Sequence, residues 1–219
     1  MTFLLASVVL LHLVAAIPTP TILPRSCTTI TPKSLQPLDN TWPDVSSAQG
    51  LFTGTSSLMV MHNNINASNQ LHSLQLVEFE IPPNASPCQL QITDPACSLS
   101  FTNSSTSSYQ ISSPVQLKVI SLLPNSLSSK RSYNDIFNAN PSVVSSWDFG
   151  DATMSAGDSK IFNSEGCPVP VGGKNGSLYY VLDYENEGVA QGWSEWTMLQ
   201  QDEDVKSGKE MNGVYLIYC

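Results

Sequence analysis

Val115-Gln-Leu-Lys-Val-Ile-Ser-Leu122 puts Val115, Leu117 and Val119 on one side of an extended chain and Gln116 and Lys118 on the other. That period-two alternation is the mark of a strand with one buried face. Leu76-Val-Glu-Phe-Glu-Ile-Pro-Pro83 repeats it, with Val77, Phe79 and Ile81 opposite Glu78 and Glu80. Working outward, β-rich runs separated by turn residues recur at Ser57–Met61, Leu74–Ile81, Cys88–Thr93, Tyr109–Ile111, Val115–Leu123, Val143–Phe149, Leu178–Tyr184, Glu195–Leu199 and Val214–Tyr218. No apolar pattern of period 3.6 is sustained, and only Ser132 to Pro141 reads as an irregular helical turn. Many short strands spaced by turns predict an all-β fold, an antiparallel β-sandwich of jelly-roll-like form. The sandwich is expected over 56–219 as a single domain. Residues 17–55 carry Pro18, Pro20, Pro24, Pro32, Pro37 and Pro43, which oppose a hydrogen-bonded ladder, so this stretch reads as an extended lead-in.

The chain of 219 residues, 41% hydrophobic and 12% charged, has length for one ordinary core. Its net charge of −9 is unevenly placed: residues 1–131 hold five Lys/Arg against five Asp/Glu, and 132–219 hold four against thirteen. Such a field repels polyanions and anionic membrane surfaces, so nucleic acid is not an expected partner. Phe3 to Val14 is apolar apart from Ser7 and His12, and Val14-Ala15-Ala16 supplies small residues for cleavage, so residues 1–16 read as a signal peptide. A membrane anchor would need about 20 apolar residues, more than this run or any other segment offers, so no membrane span is expected. Sequons at Asn66, Asn84, Asn103 and Asn175 agree with a secreted glycoprotein, extracellular or held in a cell wall, although Pro87 weakens the second.

Five cysteines, Cys27, Cys88, Cys97, Cys167 and Cys219, cannot all pair. The short interval from Cys88 to Cys97 suits a hairpin loop, and a bridge from Cys167 would tether the terminal Cys219. Cys27 is then the odd thiol. No C-x-x-C with a neighbouring histidine supports a metal site, and no cofactor motif is present.

Catalytic signals are sparse. His12 falls in the leader, His62 and His72 read as surface residues, and neither G-x-S-x-G nor H-E-x-x-H occurs. Asp183-Tyr-Glu-Asn-Glu-Gly188 begins like a calcium loop but has Ser194 where the twelfth position needs Glu, so a strand end with solvated carboxylates is the simpler reading. Asp202-Glu203-Asp204 reads as an exposed turn. In Trp193-Ser-Glu-Trp-Thr197 a strand would send Trp193 and Trp196 to opposite faces, one to the core and one outward. With Tyr180 and Tyr184 these tryptophans are the candidate ligand-binding aromatics, facing a neutral polysaccharide or an extracellular protein. Lys130-Arg131, in Ser-rich sequence, is a dibasic pair that a kexin-type protease could process, or a solvated loop pair.

The order of these pieces resembles a fungal secreted family, the C-terminal domain of ubiquitin 3 binding protein, also called the But domain. The matching pieces are Cys27 with Pro32, the strand Leu76–Pro83 followed by Cys88-Gln-Leu, the strand Val115–Leu122, and Ser132-Tyr133-Asn134-Asp135 where the family has T-W-N-N. Asn140-Pro141, Phe162, Cys167 and the terminal Val214–Cys219 follow. The T-W-N-N segment is also similar to one in DNRLRE-type carbohydrate-binding jelly rolls. Tyr133 replaces the family's Trp, and Asp183 to Gly213 reads as a longer acidic insert. The resemblance implies a non-enzymatic secreted β-sandwich of the cell wall or surface, holding glycan or protein, with no catalytic residue. The alternative from another class is a secreted hydrolase or lyase using carboxylates of the C-terminal half.

Overall fold

A computed structural model describes residues 27–45, 55–66, 69–105, 108–111, 114–127, 131–168, 174–184, 192–201 and 211–219. The signal peptide, Lys130 and Asp202-Glu203-Asp204 lie outside the described residues. Among the described residues the chain forms thirteen strands and one short helix. In order they are β1 (Thr28–Ile30), β2 (Ser34–Asp39), β3 (Thr55–Asn66), β4 (Asn69–Ile81), β5 (Cys88–Thr93), β6 (Ser100–Ser105), β7 (Ser108–Ile111), β8 (Val115–Leu122), α1 (Tyr133–Phe137), β9 (Val144–Met154), β10 (Ser159–Glu165), β11 (Gly176–Tyr184), β12 (Gly192–Gln201) and β13 (Gly213–Tyr218). Every β-rich run read from the sequence is a strand, and all the pairings are antiparallel.

The strands form an all-β sandwich. One sheet runs β1-β13-β5-β10, and the other, larger and curled, runs β7-β6-β12-β3-β4-β11-β8-β9 with β2 also paired to β4. Cys88, Leu90 and Ile92 of β5 and Val214 and Leu216 of β13 alternate inward and are fully buried. They belong to the same core as Phe79, Tyr180, Trp196 and Met198 of the large sheet. The phenol of Tyr180 on β11 donates to Glu165 Oε1 on β10 at 2.5 Å, tying one sheet to the other.

In β8 the alternation is as expected, with Val115, Leu117 and Val119 buried and Gln116 and Lys118 partly exposed, but in β4 it has a different meaning from that of a half-buried strand. β4 and β11 are buried on both faces: in β4 Val77 and Phe79 on one face are inaccessible, and Leu76 and Glu78 on the other are buried as well. On the second face lies Arg131, at the start of the segment that enters α1. Arg131 donates from Nη1 to Glu78 Oε2 at 2.6 Å and lies over the Tyr179 ring at 5.4 Å, and Ser34 on β2 donates to the same Glu78 oxygen at 2.8 Å. Glu78 is therefore one half of a buried ion pair.

Three expectations are corrected by this topology. The stretch 17–55 is not merely a lead-in, because β1 pairs with β13 and β2 with β4. Pro37 is accommodated because β2 is a short lateral strand, where a residue without an N–H is tolerated. The carboxylate of Asp183, read as solvated, instead bonds His62 Nε2 at 2.8 Å with its side chain 20% exposed, and the acidic stretch after it contains β12, paired on both sides, with β3 and with β6.

The third concerns the bridges, which are Cys27–Cys219 and Cys88–Cys167, with Cys97 free and exposed. Cys88 and Cys97 stand at opposite ends of the six-residue strand β5, separated by roughly 20 Å of extended chain. Antiparallel register sets Thr28 beside Tyr218 and so brings Cys27 to Cys219, while Glu165 faces Cys88 and Cys167 follows two residues on. A maleimide dye added to the native, unreduced protein should couple once, at Cys97. Two or more couplings, or dye found at Cys27, would contradict this connectivity.

The dibasic pair is also corrected, because Arg131 is buried in its bond to Glu78 rather than displayed in a solvated loop. Both bridges moreover span residue 131, so a chain cut there would stay covalently joined.

Candidate functional site

The aromatics expected to bind ligand are mostly core. Trp196 and Tyr180 are fully buried, Tyr184 is nearly so, and Trp193 is half-buried on the opposite face of β12. The expectation that Trp193 and Trp196 point to opposite faces holds, and the core member is Trp196. Burial pushes the Tyr184 phenol up to about 12, where it stays a neutral donor to the Ser194 carbonyl at 2.9 Å. Asn84 and Asn175 are exposed, and the Asn175 side chain donates to Glu80 at 2.7 Å. The side chains of Asn66 and Asn103 lie outside the described residues.

The tryptophans that do face solvent are Trp42, 66% exposed, and Trp147, 54% exposed. Both flank α1. Helix α1 starts from a capping box in which Ser132 Oγ accepts the Asp135 N–H at 3.2 Å while Asp135 Oδ2 accepts the Ser132 N–H at 2.9 Å. This is the segment that resembles T-W-N-N. One turn apart on the helix, Tyr133 and Phe137 contact each other with ring centroids 4.6 Å apart. Phe137 then stacks on Trp147 of β9 at 5.8 Å and 27°.

The turn after β2 completes the arrangement. Asn40 is clipped to β4, its N–H donating to the His72 carbonyl at 3.1 Å and its Oδ1 accepting the His72 N–H at 2.8 Å. On the other side Asn134 of α1 donates from its backbone to the Pro43 carbonyl at 2.9 Å and from Nδ2 to Asp44 at 2.8 Å. Trp42 and the exposed Val45 are therefore presented by a turn fixed at both ends. Carboxylates border the ridge, including Asp44 and Asp148, the latter 82% exposed and bonded to Lys118 at 2.9 Å.

Behind the ridge the two histidines form a cluster that the sequence reading missed. His62 is buried, bonds Asp183 through Nε2 at 2.8 Å, and stacks against His72 at 4.3 Å and Tyr184 at 4.5 Å. Burial and the neighbouring His62 hold the His72 imidazole below its usual range, against the pull of Asp183. Burial raises the Tyr133 phenol, and the Asp183 charge adds to it, which places this carboxylate within electrostatic reach of α1. A reader of the sequence could have paired His62 with His72 only by knowing that β3 and β4 are neighbours in that register.

No family model, curated protein or solved structure matches this chain.

Asp135 caps α1, Asp148 meets Lys118, Asp151 accepts from Gln116 at 3.2 Å, Asp158 accepts the Ser155 N–H at 2.9 Å, Glu165 takes the Tyr180 phenol and Asp183 takes His62. Each of these C-terminal carboxylates has a structural partner. Ser194 is fully buried with its hydroxyl against that of Tyr184, out of reach of a substrate. Among the described residues no group of three or more His, Cys, Asp or Glu could hold a metal ion, and no helix is long and apolar enough to cross a membrane.

Proposed function

We propose that this protein is a secreted, non-catalytic β-sandwich of a fungal cell wall or surface that holds a neutral glycan chain on the ridge of Trp42, Phe137 and Trp147. The observation that carries the reading is the solvent-facing stack of Trp147 on Phe137, with a second exposed tryptophan, Trp42, in the turn whose Pro43 carbonyl accepts the Asn134 N–H of the same helix. Flat aromatic faces of this kind suit the apolar C–H faces of sugar rings, while the bordering carboxylates accept hydroxyl protons and repel anionic chains. The motif order shared with the But domain, and its likeness to a carbohydrate-binding jelly roll at Ser132–Asp135, point the same way.

The test is titration with soluble β-glucan and chitin oligosaccharides, followed by tryptophan fluorescence and calorimetry. Trp147→Ala should weaken binding tenfold or more, about 1.4 kcal/mol, in a protein that still unfolds cooperatively, because Trp147 is 54% exposed and its loss strands no buried polar group. Affinity restricted to polyanions, or full affinity in both Trp147→Ala and Trp42→Ala, would refute the ridge. Saturable binding to a wall protein and to no glycan would replace the ligand class.

A further inference from the structure

The small sheet carries a second concave surface. Because Leu90 and Ile92 of β5 point inward, Gln91 and Thr93 point out, and antiparallel register sets Tyr215 beside Gln91 and Ser159 beside Thr93 on that outer face. A groove of about 230 Å³ crosses them, reaching Thr29 on β1. Its walls are Pro95, the turn Gly157-Asp158 and Met211.

These walls share one anchor. Asp94 is fully buried, and its carboxylate accepts the Ser98 N–H and Oγ–H at 2.8 and 2.6 Å, the Leu99 N–H at 2.8 Å, the Gly157 N–H at 3.2 Å and Asn212 Nδ2 at 3.0 Å. Pro95 follows Asp94 in the chain, Gly157 is itself a donor and Met211 precedes the donor Asn212. Asn212 also accepts the Ala96 N–H at 2.8 Å. Three chain segments distant in sequence are thus fixed around one groove by charge-assisted bonds, which are stronger than neutral ones. Gly157 has φ +91°, and a Cβ there would lie 3.3 Å from Cys97 Sγ, so glycine is what lets this wall close.

The lining states the ligand class. Tyr215 gives an apolar floor although it lies on the outer face; it is only 2% exposed, with its hydroxyl held by the Asn212 carbonyl at 2.5 Å. Gln91 Nε2 donates to Ser159 Oγ at 3.0 Å, a bond that uses neither the Gln91 carbonyl nor the Ser159 proton. Among the described residues of the lining Asp158 brings the one charged side chain, a negative one. The volume is below the roughly 300–1,000 Å³ of sites for drug-sized ligands.

We infer that this preformed groove binds one ring of a small neutral polyhydroxy compound, a single sugar residue or the end of a glycan, independently of the aromatic ridge.

The test is saturation-transfer and chemical-shift mapping on the full chain with methyl β-glucoside, methyl α-mannoside and N-acetylglucosamine, with glucuronate as the anionic control. Shifts are expected at Gln91, Thr93, Ser159 and Tyr215 for at least one neutral sugar, with glucuronate at least tenfold weaker. Ser159→Trp, at an exposed position, should fill the groove and abolish those shifts in a folded protein, and Gln91→Ala should weaken them. Trp147→Ala should leave them unchanged, whereas it should impair oligosaccharide binding at the ridge, so the two sites fail separately. Absence of shifts in the groove with all three neutral sugars, equal binding of glucuronate, or undiminished shifts in Ser159→Trp would overturn the inference.

Discussion

Replacing Cys27 and Cys219 together by serine should lower the unfolding free energy by about 3–5 kcal/mol, because the bridge closes a sequence separation of 192 residues, nearly the whole described chain. Loop entropy grows only logarithmically, so the Cys88–Cys167 bridge, with a separation of 79, is worth nearly as much by the same reasoning. The terminal bridge has a second task. β1 is three residues long and pairs with β13, and it is tethered through Cys27. Losing the bridge should let β1 fray, with hydrogen exchange rising at Thr28–Ile30 before it rises in β5. Urea unfolding of the double variant measures the first effect, and a loss under about 1 kcal/mol would show that the bridge does not constrain the unfolded chain as described. Non-reducing peptide mapping that joined Cys167 to Cys219 would reject the connectivity itself.

Glu78→Ala should cost about 3–5 kcal/mol, the loss expected when one member of a buried ion pair is stranded. Side-chain exposures of 8% for Arg131 and 5% for Glu78 leave the guanidinium little water to turn to. Replacing both members by Met should recover much of the loss, since well-packed apolar pairs often equal buried ion pairs. The pH dependence has a defined sign. Burial pushes the Glu78 carboxyl up, but bonds from Arg131 and Ser34 and the charges of Arg131 and Lys33 outweigh it and hold the group below the usual range. A depressed folded value stabilises above the unfolded pKa, about 4.3, and the contribution fades as pH falls through the folded value. The gap in stability between wild type and Glu78→Ala should therefore be full near neutrality and shrink in acid. A gap that widened as pH fell would exclude the pair as its source.

The same residue shows why the fold could be read and the site could not. Glu78 alternates with Val77 and Phe79 as a solvent-facing position should, and the strand is real. What the alternation cannot show is a second layer, and here Arg131 and Ser34 meet Glu78 on that face. The aromatic candidates failed for a related reason. Tyr180, Tyr184 and Trp196 lie in β11 and β12, strands flanked on both sides in the large sheet, and such a strand buries its large side chains. Trp42 lies instead in Asp39-Asn-Thr-Trp-Pro-Asp44, a turn composition with no alternating partner, and that was the available signal for an exposed aromatic.

Local pattern by itself determined the fold class, the nine strand runs and a helical turn within Ser132–Pro141, where α1 forms over Tyr133–Phe137, because alternation and turn chemistry act between residues a few positions apart. Tertiary structure alone decided which cysteines meet, that the stretch before residue 55 contributes β1 and β2, and that Asp94 gathers three distant segments around a groove. Those outcomes depend on strand order and register between segments up to 192 residues apart. No spacing along the chain encodes a register; it is set when two faces that must both leave water find each other.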